Sequence, residues 1–408
     1  MINRGKHRSW ISRIRRAEPK ALAFGVVVAF ALLASASVHA QTFTVLYSFM
    51  GPPDGSSPYA GLLLDSAGNL YGTTEEGGTT TPGCSNGCGT VFKLDAMGNE
   101  TLLYSFLGGT DGQYPMAGVI RDSAGNLYGT TSRGGTSLYG TIFKISGSQE
   151  TVLHSFIGID GAFPDSRLIR DSAGTLYGTA YLGGSGTGAG TCVFGCGTVF
   201  KLDKAGKVTV FSFSGYPKDG QYPTAGVIPG PAGGYGTTSG GGTSNYGNVF
   251  KISTRGRETV LHNFSWLDGA NPLAGVIQDA AGNLYGTTQV GGAFGYGTVF
   301  KINTSGQETV LYSFTLDADG ASPTGGLVLG KDGNLYGTTQ SGGTSERGTV
   351  FKVSMDGQET VLHSFDGNDG AYPSGDLIED AAGNLYGTTT AGGTGCAEGC
   401  GVVFKLTP

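Results

Sequence analysis

Residues 125–131 read Gly-Asn-Leu-Tyr-Gly-Thr-Thr, and variants of this stretch occur seven times along the chain. Successive copies are 49 to 58 residues apart, a period typical of solenoids and propellers. The tyrosines that anchor the copies are Tyr71, Tyr128, Tyr177, Tyr235, Tyr285, Tyr336 and Tyr386. A residue that recurs in every copy is expected to build the scaffold. Specific function should therefore lie where the copies differ.

Each unit contains four short apolar segments separated by Gly-rich turns. In the second unit, residues 117–122, 126–131, 141–145 and 150–156 are predicted as strands a to d. No amphipathic helical pattern follows residue 40. Four strands per unit, repeated seven times, predict an all-β fold, a seven-bladed β-propeller.

The two ends of the repeat region predict how the ring closes. The seventh unit ends after its strand c, residues 402–406, and the segment 43–49 (FTVLYSF) matches strand d but precedes the first unit. We predict that 43–49 completes the last blade beside 402–406, which removes strand edges that could pair with other chains. An open solenoid, the alternative, would leave the first strand without its partner.

Residues 1–40 have the features of a secretory signal peptide. Seven basic side chains fall within residues 1–20, an apolar run covers 21–36, and Val38-His39-Ala40 is small at the two positions that a signal peptidase reads. We predict cleavage after Ala40, one propeller domain over 41–408, and export to the periplasm, the cell surface or the medium. An uncleaved anchor is the alternative, but the run is shorter than the roughly 20 residues that span a bilayer.

The charge of the chain argues against some partners. Residues 41–408 carry 18 basic and 30 acidic side chains, a formal net charge of −12. No basic patch stands out, so nucleic acid is not expected as a partner. We expect a monomer without a membrane anchor after cleavage.

The motifs of the unit resemble those of a known family. L-Y-G-T-T, a later G-G, G-T-V-F-K-L and E-T-V-L-x-S-F recur in one order, and they resemble the GloVer tandem repeat of exported bacterial proteins. The resemblance covers essentially all of the chain after residue 40. It implies a propeller-type repeat, and it brings no assigned activity and no set of catalytic residues.

The six cysteines form three pairs, each with a spacing of four residues and each in the loop between strands b and c. An even count in an exported chain predicts disulfides, and loops this small gain about 2 kcal/mol each at most. Metal binding by paired thiolates is the alternative. The pairs are Cys84/Cys88, Cys192/Cys196 and Cys396/Cys400.

Histidine and aspartate also recur at fixed repeat positions. His154, His262 and His363 share one strand-d position with tyrosine and phenylalanine, so we interpret them as packing residues and expect no histidine base or histidine metal site. The loop between strands d and a reads D-G-x-x-P in all seven units, which is typical of a turn. A ring of calcium sites is the alternative, although Ca²⁺ prefers 6–8 oxygens. We predict no metal and no cofactor.

The candidate binding site comes from the departures between copies. The b–c and d–a loops are long and variable, and both lie at the end of the blades that we call the top face, where loops on a rigid scaffold carry function. Strand a should line the channel; it is entered by glycine in five units, but by Arg167 and Asp376 in the third and seventh. The residue after the loop proline varies most and includes Tyr59, Met116 and Asp165. These five residues would suit a polar ligand such as a sugar or a peptide, and neutral variation is the alternative.

Three function hypotheses follow from these observations. The first is an exported binding module that acts through its top-face loops on a glycan, a peptide or an envelope protein. The second is a lyase or hydrolase on glycans or small molecules, in which Asp165, Asp376, Glu75 or Glu76 would act with Arg167; it requires two carboxylates within roughly 5–10 Å. The third is a structural envelope or adhesion protein. We favour binding over catalysis.

Overall fold

Seven antiparallel sheets of four strands each form the blades of a propeller. This computed structural model describes residues 41–186, 192–230, 233–397 and 399–408. The predicted leader, residues 1–40, lies outside the described residues, so its cleavage stays a prediction. No helix among the described residues has the length and hydropathy of a membrane span; one short 3₁₀ turn is present at Gly109–Asp111.

The strands follow the predicted order a to d in every blade. The a strands are Leu63–Leu64, Ile120–Arg121, Ile169–Arg170, Ile228–Gly230, Ile277–Gln278, Val328–Leu329 and Ile378–Glu379. The b strands are Leu70–Thr74, Leu127–Thr131, Leu176–Ala180, Gly233–Thr238, Leu284–Thr288, Leu335–Thr339 and Leu385–Thr389. The c strands are Thr90–Leu94, Thr141–Ser146, Thr198–Leu202, Asn248–Ser253, Thr298–Ile302, Thr349–Val353 and Val402–Thr407. The d strands are Glu100–Ser105, Gln149–Ser155, Val208–Ser212, Glu258–Asn263, Glu308–Ser313, Glu359–Ser364 and, for the seventh blade, Thr42–Ser48.

Two pairs of very short strands connect the loops of the top face. Gly55–Ser56 pairs with Glu76–Gly77, and Gly220–Gln221 pairs with Gly240–Gly241. Each pair joins a d–a loop to the b–c loop of the blade that it enters. The two sets of long loops therefore lie together, as the sequence predicted.

Strand a is shorter than predicted. In the second blade only Ile120 and Arg121 pair with strand b, whereas the sequence suggested residues 117–122. The residues before Ile120 make a different contact, because the carbonyl of Ala117 accepts a hydrogen bond from the Thr73 hydroxyl of the preceding blade at 3.0 Å. The start of segment a thus bonds to the neighbouring blade instead of to its own sheet.

The ring closes as the sequence predicted. Thr42–Ser48 pairs antiparallel with Val402–Thr407, so the first strand of the described chain completes the last blade. At every blade boundary a strand-d phenylalanine meets a strand-c phenylalanine of the next blade edge to face, with ring centroids 5.0–5.4 Å apart. These pairs are Phe49–Phe92, Phe106–Phe143, Phe156–Phe200, Phe213–Phe250, Phe264–Phe300, Phe314–Phe351 and Phe365–Phe404. Burial of each ring contributes roughly 1.5–3 kcal/mol, and the pairing geometry adds to it.

The tyrosine of the recurring heptapeptide stabilises the a–b turn. The Tyr71 hydroxyl donates to Asp65 Oδ2 at 3.1 Å, and Asp65 Oδ1 accepts the backbone N–H groups of Ala67 and Asn69. The same Tyr–Asp bond, at 2.7–3.1 Å, recurs in five more blades. The tyrosines are therefore scaffold residues, as predicted.

A left-handed residue precedes the loop proline in all seven units. The φ angles of these non-glycine residues lie between 54° and 61°, a conformation that costs about 1–3 kcal/mol. In the second blade, the Tyr114 N–H donates to the Cys88 carbonyl of the first blade, and the Tyr114 carbonyl accepts from Ser132 N–H. The seven residues are Ser57, Tyr114, Phe163, Tyr222, Asn271, Ser322 and Tyr372. Because each bonds to two blades at once, the local strain is offset by links around the ring.

Candidate functional site

A cavity of about 540 Å³ lies at the centre of the ring, where the a segments converge. All five candidate residues line it, so the structure brings together what the sequence selected. These residues are Tyr59, Met116, Asp165, Arg167 and Asp376. Most of the remaining lining is glycine, alanine and aliphatic side chains, which leaves few polar groups to orient a ligand.

Arg167 and Asp376 face each other across this cavity. Arg167 belongs to the third blade and Asp376 to the seventh, and blades three steps apart in a ring of seven lie on opposite sides. Burial lowers the pKa of the Arg167 guanidinium, and the negative charge of Asp376 partly offsets that effect. Among the described residues, no hydrogen-bond acceptor or ion-pair partner contacts the guanidinium. Its donors are free to bind a ligand.

Asp376 also has a structural contact. Its Oδ1 accepts the backbone N–H of Gly326 in the sixth blade at 2.6 Å. In the other six boundaries a strand-b threonine hydroxyl bonds to the next blade at 2.8–3.4 Å. At this boundary the Thr338 hydroxyl is buried without a partner. The departure from glycine at position 376 therefore supplies a link between blades as well as a charge.

Asp165 lines the cavity beside polar and charged groups. Burial raises its pKa to about 7; a hydrogen bond with Ser132 opposes the rise, the negative charge of Glu75 adds to it, and the positive charge of Arg133 opposes it. Its Oδ1 is buried and has no hydrogen-bond partner. Burial, Asp165 and Glu75 together raise the pKa of the Tyr59 hydroxyl. Tyr59 and Asp165 thus line the cavity, and Glu75 acts electrostatically on both. A carboxyl with the pKa of Asp165 can donate or accept a proton near neutral pH.

The acids that the catalytic hypothesis grouped have different electrostatic partners. The carboxylate that acts on Asp165 is Glu75, whereas Asp376 acts on Arg167. Burial raises the pKa of Glu75, with a further contribution from the adjacent Glu76. The two acids that influence each other are therefore Asp165 and Glu75.

The three histidines do more than pack. Their Nε2 atoms lie 2.7–3.0 Å from the carboxylates of the d–a loop aspartates, in the pairs His154–Asp160, His262–Asp268 and His363–Asp369. In three other units a tyrosine hydroxyl makes the same contact, as Tyr104 does with Asp111 at 2.6 Å. The interpretation as pure packing residues was incomplete. The signal that was missed is an aromatic residue with a polar tip, six or seven positions before each of these aspartates.

The D-G-x-x-P aspartates stabilise turns, as predicted. Asp111 accepts the Leu107 backbone N–H at 2.6 Å, and Asp369 accepts that of Asp366 at 2.9 Å. Corresponding backbone bonds are made by Asp54, Asp160, Asp219, Asp268 and Asp319. Each carboxylate is thus occupied by protein donors.

Five strand-d glutamates lie close enough to these loop aspartates to interact with them electrostatically. The Oε1 atoms of Glu100, Glu150, Glu258, Glu308 and Glu359 are buried without a hydrogen-bond partner. Burial raises the pKa of each of these carboxyls to about 7, and the loop aspartate of the preceding unit adds to the rise. At one boundary the ligand atoms of His262, Asp268 and Glu308 all lie within 4.8 Å of one another. One imidazole and two carboxylates could hold a metal ion. However, the same pair of a loop aspartate and a strand-d glutamate recurs at boundaries where tyrosine replaces the histidine. The cluster is therefore explained by the repeat and does not require a metal ion.

The six cysteines are disulfide-bonded as predicted. The bonds are Cys84–Cys88, Cys192–Cys196 and Cys396–Cys400. Each lies in a b–c loop of the top face, where the carbonyl of the second cysteine in all three pairs accepts a backbone N–H from the next blade. The disulfides therefore constrain loops that also form hydrogen bonds between neighbouring blades.

Exposed apolar side chains concentrate on the top face. The described residues include eighteen large hydrophobic side chains that are exposed, and all but Met97, Leu102 and Met355 belong to the b–c and d–a loops. Those on the top face are Met50, Leu107, Leu138, Tyr139, Ile157, Ile159, Val193, Phe194, Tyr216, Trp266, Leu267, Phe294, Tyr296, Leu316 and Tyr372. We call this set the apolar rim. This set has no signature in the sequence, because loop residues show no period that would distinguish exposed from buried positions.

Three solved structures share the fold. The extracellular domain of a protein described as a hybrid two-component system from B. thetaiotaomicron is 13% identical, with a TM-score of 0.56, over 90% of this chain and 41% of that one. The extracellular domain of a one-component system from the same organism is 10% identical, with a TM-score of 0.57, over 87% and 39%. A fungal alcohol oxidase in complex with copper is 16% identical, with a TM-score of 0.55, over 90% and 76%.

These likenesses show the fold alone. The chain spans about two fifths of the length of the two bacterial structures. Both of those structures are extracellular domains; in this chain the three disulfides are consistent with export. No curated protein matches this chain.

The family resemblance seen in the motifs is confirmed. The sequence profile of the Gloeobacter/Verrucomicrobia repeat matches residues 24–193, 77–278 and 186–404, three overlapping matches that cover nearly the whole chain. The chain belongs to the Gloeobacter/Verrucomicrobia repeat family.

Proposed function

We propose that this protein is an exported binding module that holds a polypeptide partner against its top face. The observation that carries the proposal is the apolar rim, which places fifteen of the eighteen exposed large hydrophobic side chains of the described residues on one face of the propeller. Exposed apolar surface of this kind marks interaction sites on soluble proteins.

The rim has two dense parts. One consists of Leu138 and Tyr139 with Ile157 and Ile159, where the Tyr139 ring packs edge to face on Phe163 at 6.3 Å. The other contains Trp266, Leu267 and Phe294. Aromatic side chains supply contact area at low entropic cost in protein interfaces. The many aliphatic side chains beside them favour a polypeptide over a glycan, because a glycan presents mostly hydroxyl groups.

Paired substitutions test the rim. Purified protein would be titrated against immobilised peptide and glycan arrays, with Ile157→Ser/Ile159→Ser and Leu267→Ser/Phe294→Ser as top-face variants. Met97→Ser/Met355→Ser removes exposed apolar side chains elsewhere and is the matched control. We expect at least a tenfold rise in Kd for peptide hits with either top-face variant and less than a twofold change with the control. Unchanged binding by both top-face variants would reject the proposal, and hits confined to glycans would reject the polypeptide class.

A second candidate function, hydrolysis or elimination at the cavity mouth, rests on Asp165. A buried carboxyl with a pKa of about 7 beside a second acid, Glu75, is the arrangement that general acid–base catalysis uses. A panel of chromogenic glycosides and esters would be assayed with wild type, Asp165→Asn and the exposed control Asp366→Asn. Turnover that Asp165→Asn alone abolishes supports this candidate. Turnover retained by Asp165→Asn, or absent from wild type, removes it.

A further inference from the structure

We propose that Arg167 receives the C-terminal carboxylate of the polypeptide partner, so that the central cavity recognises a chain end. This inference rests on the proposed function and adds the chemistry of the ligand. It starts from Arg167, the arginine of the cavity lining that no hydrogen bond, ion pair or ring contact holds among the described residues.

The cavity lining contains three arginines, and their surroundings differ. Arg121 pairs with Asp65 at 3.6 Å and lies over the Tyr71 ring. Arg170 is exposed, and its guanidinium lies over the Tyr128 ring at 5.6 Å. Arg167 has no such partner among the described residues, although it is the arginine whose pKa burial lowers.

The charge of Arg167 is incompletely balanced. Asp376 is its electrostatic partner but lies beyond ion-pair distance, and Asp376 Oδ1 is already bound to the Gly326 N–H. A guanidinium that has lost water without gaining a carboxylate is unfavourable. A ligand carboxylate would bind it through two parallel N–H···O bonds, the geometry that arginine offers best.

The shape of the site favours a chain end. Glycine occupies the position of Arg167 in five of the seven blades. Arg167 and Asp376 are therefore the two large side chains at this repeat position. The cavity, about 540 Å³, is too small for a folded loop. Capture of a C-terminal carboxylate is an established mode of peptide recognition.

The test uses two pools of tripeptides with randomised sequence, one with free C-terminal carboxylates and one with C-terminal amides. Wild type, Arg167→Gln and Arg257→Gln would be equilibrated with each pool, and retained peptides would be quantified by mass spectrometry. Arg257→Gln is the control, because it removes the same charge from an exposed turn outside the cavity lining. Circular dichroism and thermal unfolding would establish that each variant is folded.

We expect wild type and Arg257→Gln to retain free-acid peptides at least tenfold over amides, and Arg167→Gln to lose that preference. Equal retention of acids and amides by wild type overturns the inference, as does unchanged preference in Arg167→Gln or no retention at all. A partner that depends on the apolar rim but is insensitive to amidation and to Arg167→Gln would leave the proposed function intact and reject this inference alone.

Discussion

His363 shows how one side chain serves two neighbouring blades. Its Nε2 bonds to Asp369 at 2.7 Å, and its ring stacks on Phe43 of the closing strand with centroids 3.6 Å apart. In the strand register, Phe43 occupies the position that Glu308 and Val208 hold in the fifth and third blades. The sequence could identify the aromatic position, but the second contact depends on a loop and a strand that only the closed ring brings together.

The hydroxyl of the tyrosine in the recurring heptapeptide should stabilise the folded protein by about as much as one hydrogen bond. Tyr285→Phe removes the donor to Asp279 Oδ2, which keeps a bond from Asn283 Nδ2. We expect the free energy of unfolding to fall by about 1 kcal/mol in urea titration. The exposed Tyr296→Phe, as a control, should leave it unchanged. An unaffected Tyr285→Phe would contradict the scaffold role.

The interblade glutamates predict a fall in stability between about pH 4.5 and 7. The pKa of Glu359 rises from 4.5 to about 7 on folding, because its carboxyl is buried next to Asp319. In this range the folded state binds more protons than the unfolded state, so the free energy of unfolding decreases as the pH rises and levels off above about 7. The turn aspartates titrate at lower pH, since hydrogen bonds lower the pKa of Asp65 to about 2.

The substitution Glu359→Gln measures how much one glutamate contributes to the pH dependence of the free energy of unfolding. The variant should show a shallower fall than wild type when chemical unfolding is measured from pH 4.5 to 8, because a neutral amide has no proton to lose. The exposed Glu346→Gln serves as the control. A pH dependence that Glu359→Gln leaves as steep as in wild type would contradict the assigned pKa.

At the scale of elements, the regular strands followed from the sequence and the loop conformations did not. Alternation and turn residues placed strands b, c and d within one or two residues. The left-handed conformation of Tyr114 and Phe163 before proline could not be anticipated, because proline normally favours an extended residue before it. Bonds to two blades hold that conformation, and such long-range contacts leave no local pattern.

Each loop disulfide should make a modest contribution to the free energy of unfolding. Cys84→Ser/Cys88→Ser opens a closed loop of only five residues, for which the entropic effect is about 2 kcal/mol. We expect a folded variant whose free energy of unfolding falls by no more than about that amount. Thiol titration of denatured wild type should find no free thiol before reduction and six after it. Loss of the fold in the double variant would show that the disulfide has a larger role.

At the scale of the whole molecule, stability depends on pairing the two ends of the propeller. Thr42–Ser48 is the only partner of the outer edge of Val402–Thr407 within the described residues. Deleting residues 41–49 should expose that edge and the Phe92 and Phe404 surfaces, lowering the thermal midpoint and producing oligomers in size-exclusion chromatography.

A circular permutant supplies the control for this deletion. Joining Pro408 to Gln41 through a two-residue Asn-Gly turn, with new termini in the loop after Met50, keeps strand d but moves it to the other end of the chain. We expect a monomer with a thermal midpoint close to that of wild type. A stable, monomeric deletion variant would contradict closure through this strand.

The sequence anticipated part of the candidate site. Arg167 and Asp376 were found because they break a repeated glycine, and they do line the cavity. The approach of Glu75 to Asp165 was not anticipated, because those residues come from different blades. The apolar rim was missed as well, since exposure of a loop side chain depends on the packing of both neighbouring loops.

The pairing of Thr42–Ser48 with Val402–Thr407 has a consequence for the order of folding. Ribosomes build the chain from its amino end, at about 5–20 residues per second. The closing strand is therefore made first, and its partner is made some 360 residues later, a delay of roughly 20–70 s at that rate. Throughout this interval the strand lacks the partner for its backbone hydrogen bonds, although Phe49 can pack on Phe92 once the first blade has formed. We expect a nascent chain to need a chaperone or a holding factor until the last residues emerge.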